Sequence, residues 1–97
     1  MPRYVSLGNW TDEGAKGATD TVNRYQAAKQ LVASKGGTFE HNFWTVGPYD
    51  FVSVIDVPDE ETGAAIALLT AAGGNLRTLT MRAFTEDEMK AVIGKMG

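Results

Sequence analysis

The chain has no cysteine, one histidine and three prolines in 97 residues. Without cysteine there are no disulfides and no thiolate metal sites. The domain must therefore hold together on an apolar core, which its length permits, and it suits a reducing compartment. With His41 as the lone histidine, no second ligand is fixed by spacing. Neither haem nor any other cofactor is expected, and no metal site. No apolar run approaches the roughly 18 residues of a membrane span. Basic residues are few and scattered, and the net charge is −3, so no nucleic-acid footprint is expected. Met1-Pro2-Arg3 enters a strand with no apolar leader, which points to a cytoplasmic protein. The Asn9-Trp10-Thr11 triplet is therefore not read as glycosylated. There is no phosphate-binding loop: Gly73-Gly74-Asn75 follows a helix and lacks the Gly-Lys-Ser/Thr pattern. There is no nucleophile elbow or zincin motif. No linker, repeat or low-complexity segment divides the chain, so residues 1–97 are read as one domain.

What is present centres on Val46-Gly47-Pro48-Tyr49-Asp50-Phe51-Val52. A turn there joins two strand-like runs, Thr38–Val46 and Tyr49–Val57, into a β-hairpin. A two-residue Gly47-Pro48 loop would pair Val46 with Tyr49, Trp44 with Phe51, Asn42 with Ser53 and Glu40 with Ile55. Arg3–Asn9 alternates as a first strand and Asn75–Phe84 as a last one. Thr11-Asp12-Glu13-Gly14 starts a short helical piece, and a stronger start at Thr19-Asp20 leads a main helix. In that helix Val22, Tyr25, Ala28, Leu31 and Val32 recur at helical spacing, with Arg24, Gln26, Lys29 and Lys35 mostly elsewhere. Gly36-Gly37 ends it. Asp59, followed by Glu60 and Glu61, caps a helix of small apolar residues that closes at Gly73-Gly74. Thr85 and Glu88 have the spacing of a capping box for a terminal helix.

The order βαββαβ with an added helix predicts an α+β, ferredoxin-like fold. Both main helices should cover one side of a four-stranded antiparallel sheet, with the first and third strands central. Val5, Leu7, Phe43, Val52, Val54, Leu79 and Met81 are expected beneath the helices. Tyr4, Ser6, Trp10, Asn42, Trp44, Tyr49, Phe51, Ser53, Ile55, Thr78, Thr80 and Arg82 are expected on the open face. Such a face, on the order of 400 Å² from strand spacings, is large for a monomer's surface. It predicts a homodimer with two sheets stacked face to face, with higher oligomers left open.

Five segments then carry a resemblance. Tyr4-Val5-Ser6-Leu7, Asn9-Trp10-Thr11-Asp12, Gly47-Pro48-Tyr49-Asp50-Phe51, Gly74-Asn75-Leu76-Arg77-Thr78 and Arg82-Ala83-Phe84-Thr85-Glu86 resemble the GYD-domain family. That resemblance implies a dimeric α+β barrel and no settled activity. Pro48 departs from the family's name motif, where a polar residue such as Glu is expected.

The residues suggest where chemistry would sit. His41 is the acid–base candidate, weighed against a structural or half-exposed imidazole. Asp50 is the second catalytic candidate, against a carboxylate that accepts backbone N–H bonds beside the turn. Trp10, Trp44 and Tyr49 would stack a planar ligand or pack an interface. Arg82 would clamp a carboxylate, or pair with Glu40 across an interface. The leading expectation is a homodimeric small-molecule binder or cofactor-free enzyme acting on an aromatic or carboxylated metabolite. The other is a non-catalytic assembly module.

Overall fold

In the computed structural model, which describes residues 1–97, the order is β1 (Arg3–Trp10), α1 (Asp12–Lys16), a 3-10 turn (Ala18–Asp20), α2 (Thr21–Ser34), β2 (Thr38–Trp44), β3 (Phe51–Asp56), α3 (Glu60–Ala72), β4 (Leu76–Ala83) and α4 (Glu86–Gly94). The strands form one antiparallel sheet in the order β2-β3-β1-β4, so β1 and β3 are central. This is the expected ferredoxin-like α+β fold with an extra C-terminal helix.

Side-chain caps define three of the four helix starts, because the first N–H groups of a helix have no partner within it. Thr11 Oγ1 accepts from the Gly14 amide at 3.1 Å, and Asp59 Oδ1 from the Thr62 amide at 2.7 Å. At α4 the capping box is complete: Thr85 Oγ1 accepts from the Glu88 amide at 3.2 Å, and Glu88 Oε1 from the Thr85 amide at 2.8 Å. The α2 start differs from expectation. Asp20 makes no cap bond to the helix backbone; its carboxylate accepts from Asn23 Nδ2 at 2.9 Å. Past the ends of α2 and α3, Gly36 and Gly74 take left-handed φ values of 82° and 77°, which a side chain would resist.

The hairpin keeps the expected register at Trp44–Phe51 and Asn42–Ser53 and loses it at both ends. Residues 45–50 form a loop wider than two residues. It is closed by Thr45 N donating to Asp50 O at 2.8 Å and Thr45 Oγ1 to Tyr49 O at 2.6 Å. Val46 and Tyr49 are therefore not a strand pair, and Val46 is fully exposed. At the other end the register slips between Phe39 and His41, so Ile55 faces Phe39 rather than Glu40. Glu40 is the extra residue of a bulge, and an extra residue reverses the alternation beyond it. Phe39 thus turns inward beside Asn42 and Trp44, while His41 stays with Phe43.

The two sides of the sheet are the reverse of the expectation. Tyr4, Phe39 and Ile55 pack with Val32 of α2, Ile66 of α3 and Val57 as the core. A side chain at Gly63 of α3 would strike the Tyr4 ring, and one at Gly8 would strike the Phe51 ring. The aromatic and hydroxyl-bearing face therefore lies under the helices. Val5, Leu7, Phe43, Val52, Val54, Leu79 and Met81 form the open face, with Phe43 62% and Leu79 58% exposed. Helix placement follows the handedness of the crossovers, which is indifferent to which strand face is greasier. At one end of the open face, Arg3 Nε and Nη2 reach the Asp56 carboxylate at 2.8 and 3.2 Å. That fork holds the Asp56 carboxyl below its ordinary range.

α4 buries none of its residues; Met89, Val92 and Ile93 along it and Met96 just past its end are exposed. The chain extends 51 × 30 × 19 Å with a radius of gyration of 14.5 Å. A compact domain of this length would have about 12.5 Å.

Candidate functional site

The small core leaves space between the helices and the sheet. Beneath α2, toward the Trp10 end of β1, lies an open-mouthed cavity of about 250 Å³. A smaller void of about 100 Å³ continues under α3 and shares Ala28, Phe39, Phe51, Ser53, Thr70 and Leu76 with it. Gly8 makes this space possible, because Phe51 on β3 lies across its bare backbone.

The cavity wall is aromatic. Tyr25 of α2 meets Phe39 edge-on at 5.2 Å between ring centres and Trp44 at 5.6 Å. Trp44 Nε1 donates to Thr21 Oγ1 at 3.0 Å, which fixes the indole on the edge strand. Trp10 and Phe51 complete the ring wall. Below these rings the sheet carries hydroxyls and an amide. Ser53 Oγ donates to Asn42 Oδ1 at 2.6 Å, and Ser6 and Thr80 share a bond at 3.0 Å. The Asn42 Oδ1 is thus occupied, while its Nδ2 has no protein partner. Arg24 is the one charged residue of the lining. Its Nη1 donates to Gly14 O at 3.0 Å, and it forms no ion pair.

The expected ligand residues do not converge. Trp10 and Trp44 share the cavity wall, on the helix side of the sheet rather than the open side. Tyr49 lines a separate cleft with Leu7, Asn9, Pro48, Arg77 and Leu79. Arg82 pairs with Tyr4 in the ladder, at the opposite end of β1 from Trp10. Its guanidinium lies 4.6 Å from the Phe84 ring and donates to the Ala83 and Arg3 carbonyls. Its acidic neighbour within the chain is Glu60 at 3.9 Å.

The two catalytic candidates are also apart. His41 faces the open side, opposite Val54, with its ring stacked on Phe43 at 6.2 Å. It shares the face of Phe43, which was expected beneath the helices, so the reversal of the two faces places it on the open side. Asp50 Oδ2 accepts from the Trp10 amide at 2.9 Å, and its own amide donates to Gly8 O at 2.8 Å. Asp50 therefore extends the β1–β3 ladder past its last pair. No group of three or more His, Asp or Glu side chains is gathered as a metal site. Arg24, Tyr25 and Asn42 were not expected at a site. Arg24 precedes Tyr25 on the helix, and Asn42 alternates with Trp44 on the strand, so the pattern was legible once the covered face was known.

Comparison with known proteins gives a consistent picture. The sequence pattern of the family described as the GYD domain matches residues 4–93. A curated protein from Thermus thermophilus, named glutamine synthetase and cystathionine beta-lyase binding protein, is 32% identical over 84 residues, covering 86% of this chain and 88% of its own. The crystal structure of TTHA0845 from the same organism superposes with a TM-score of 0.54 at 23% identity, over 88% of this chain and 95% of that one. That likeness supports the fold.

Proposed function

The chain belongs to the GYD-domain family, and from that premise we propose that it is a binding protein that works as a homodimer joined through its open sheet faces. The observation that carries this reading is the uncovered apolar face of Val5, Leu7, Phe43, Val52, Val54, Leu79 and Met81. Burying such a surface is favourable at about 25 cal/mol per Å² of apolar area. A two-fold stack lets one patch cover its own copy. His41 and Phe43 then lie within the contact, and the Arg3–Asp56 fork at its edge.

The relative's name gives two enzymes as its binding partners, and a comparable role on cytoplasmic enzymes is the reading extended to this chain. The dimer would dock such partners with the surfaces left outside the sheet contact. In the same reading each copy carries its own small-molecule cavity under α2, with Trp10 and Trp44 in the wall. Tyr49 and Arg82 have no part in that cavity. Catalysis is not proposed, because His41 and Asp50 serve a sheet face and a strand end respectively.

Sedimentation equilibrium tests the dimer. The wild-type chain should be dimeric at low micromolar concentration, and Phe43→Asp should be a folded monomer, since an unpaired charge in the contact is costly. A wild-type chain that stays monomeric up to about 500 µM would end the reading.

A further inference from the structure

We propose that the cavity beneath α2 is a binding site for a small aromatic monocarboxylate, with its ring among Tyr25, Trp44, Trp10 and Phe51 and its carboxylate on Arg24. The inference rests on the reading of the chain as a binding protein, but on the cavity of one copy and not on the dimer contact.

The size is suitable. An apolar cavity of about 150 Å³ accepts benzene. On that scale 250 Å³ holds a ring with a short side chain, about ten non-hydrogen atoms. The shape of the wall selects a flat ring. Tyr25 stands edge-on to both Phe39 and Trp44, and aromatic rings favour such edge-to-face contacts. An inserted ring extends the series.

The polar groups select the charge. Arg24 is the only charged lining residue, and one of its N–H groups holds Gly14 O. The rest of the guanidinium has no acidic partner, and a planar fork suits a carboxylate. Asn42 offers a second donor, since its oxygen is already taken by Ser53. Two sets of donors and no carboxylate in the lining favour an acceptor-rich, anionic ligand. The polar groups of Asn42 and Ser53 on the sheet and Thr70 on α3 are poor packing for a dry core but ordinary lining for a ligand pocket.

Both tryptophans of the chain line the cavity, so intrinsic fluorescence reports its occupancy. The test titrates the full-length protein with phenylacetate and, separately, with its neutral isostere phenylacetamide. Phenylacetate should bind saturably below about 1 mM and change the fluorescence, with phenylacetamide weaker by about tenfold or more. Arg24→Gln should remove that preference, weakening phenylacetate about tenfold and leaving phenylacetamide unchanged. Ala28→Leu places bulk in the shared wall of both voids, and should abolish binding of either probe while sedimentation stays that of the wild type. The proposal is overturned if phenylacetate does not saturate by about 10 mM. It is also overturned if the two probes bind equally, or if folded Arg24→Gln keeps the preference. Loss of the dimer with retained phenylacetate binding would overturn the assembly reading alone.

Discussion

At the scale of single residues, the chain spends its special side chains on shape. Gly8 leaves a gap near the Trp10 end of a central strand, and Phe51 fills it from the neighbouring strand. A Cβ at Gly8 would come within 1.9 Å of that ring. Gly8→Ala should therefore cost about 1–3 kcal/mol through forced movement of Phe51, read as a lower midpoint in urea unfolding. It should also weaken any ligand binding under α2, because the ring is part of the wall. Asp50 follows a different logic. Its carboxylate accepts from the Trp10 amide and its own amide reaches Gly8 O, so it secures the end of β1. Asp50→Ala should destabilise by about 1–2 kcal/mol, as for a lost charge-assisted bond. Asp50→Asn, which keeps an acceptor, should recover most of that loss. An Asp50→Ala protein as stable as the wild type would return Asp50 to the list of chemical candidates. The structural alternative for Asp50 was legible in its place beside the turn. The orientation of His41 was not, because it shares the face of Phe43 and the hydrophobic pattern does not say which sheet face the crossovers cover.

At the scale of elements, caps were the most legible features. Thr11, Asp59 and Thr85 each stand where a short polar residue precedes a helical pattern, and each caps its helix. The contacts of Asp59 with Thr62 and of Glu88 with Thr85 hold both carboxyls below their ordinary values. The Arg3 fork does the same to Asp56. Depressed folded-state values mean that the unfolded chain binds protons first as the pH falls. The stabilisation from these groups is then full above the unfolded values, near pH 4, and is lost as pH falls through the lower folded values. Thermal unfolding should show a melting temperature that is flat from about pH 6 to 5 and drops below about pH 4. Arg3→Met should make that drop shallower, since Asp56 loses its main partner. An equal slope in the two proteins would show that the fork adds nothing. The pattern was less legible in α2. Five apolar positions were expected to face the sheet, yet Val22 is 55% exposed while Arg24 lines the cavity. Spacing finds a stripe on a helix; the side on which the sheet sits depends on the crossover.

At the scale of the whole molecule, the same limit explains the reversed sheet. Alternation along β1, β3 and β4 separated two sets of residues correctly, and the strand order followed from the element order. Assigning the greasier set to the helix side went wrong because alternation does not say which of two apolar faces the crossovers cover. α4 bears on the face left open. It projects from the domain with Met89, Val92 and Ile93 exposed, and Met96 just past its end, and the sheet face of about 400 Å² is roughly half of the 800 Å² that each partner gives to a standard interface. α4 lying across the partner copy would contribute to the rest. Deleting residues 86–97 should therefore leave the domain folded, because α4 buries nothing within its own chain. The truncated chain should dissociate about tenfold more readily or worse, corresponding to about 1.4 kcal/mol or more of lost contact. Sedimentation of the truncated chain at several concentrations measures this, with far-UV circular dichroism to verify the fold. An unchanged dimer constant would mean that α4 faces water or a different partner, and that the sheet face alone suffices.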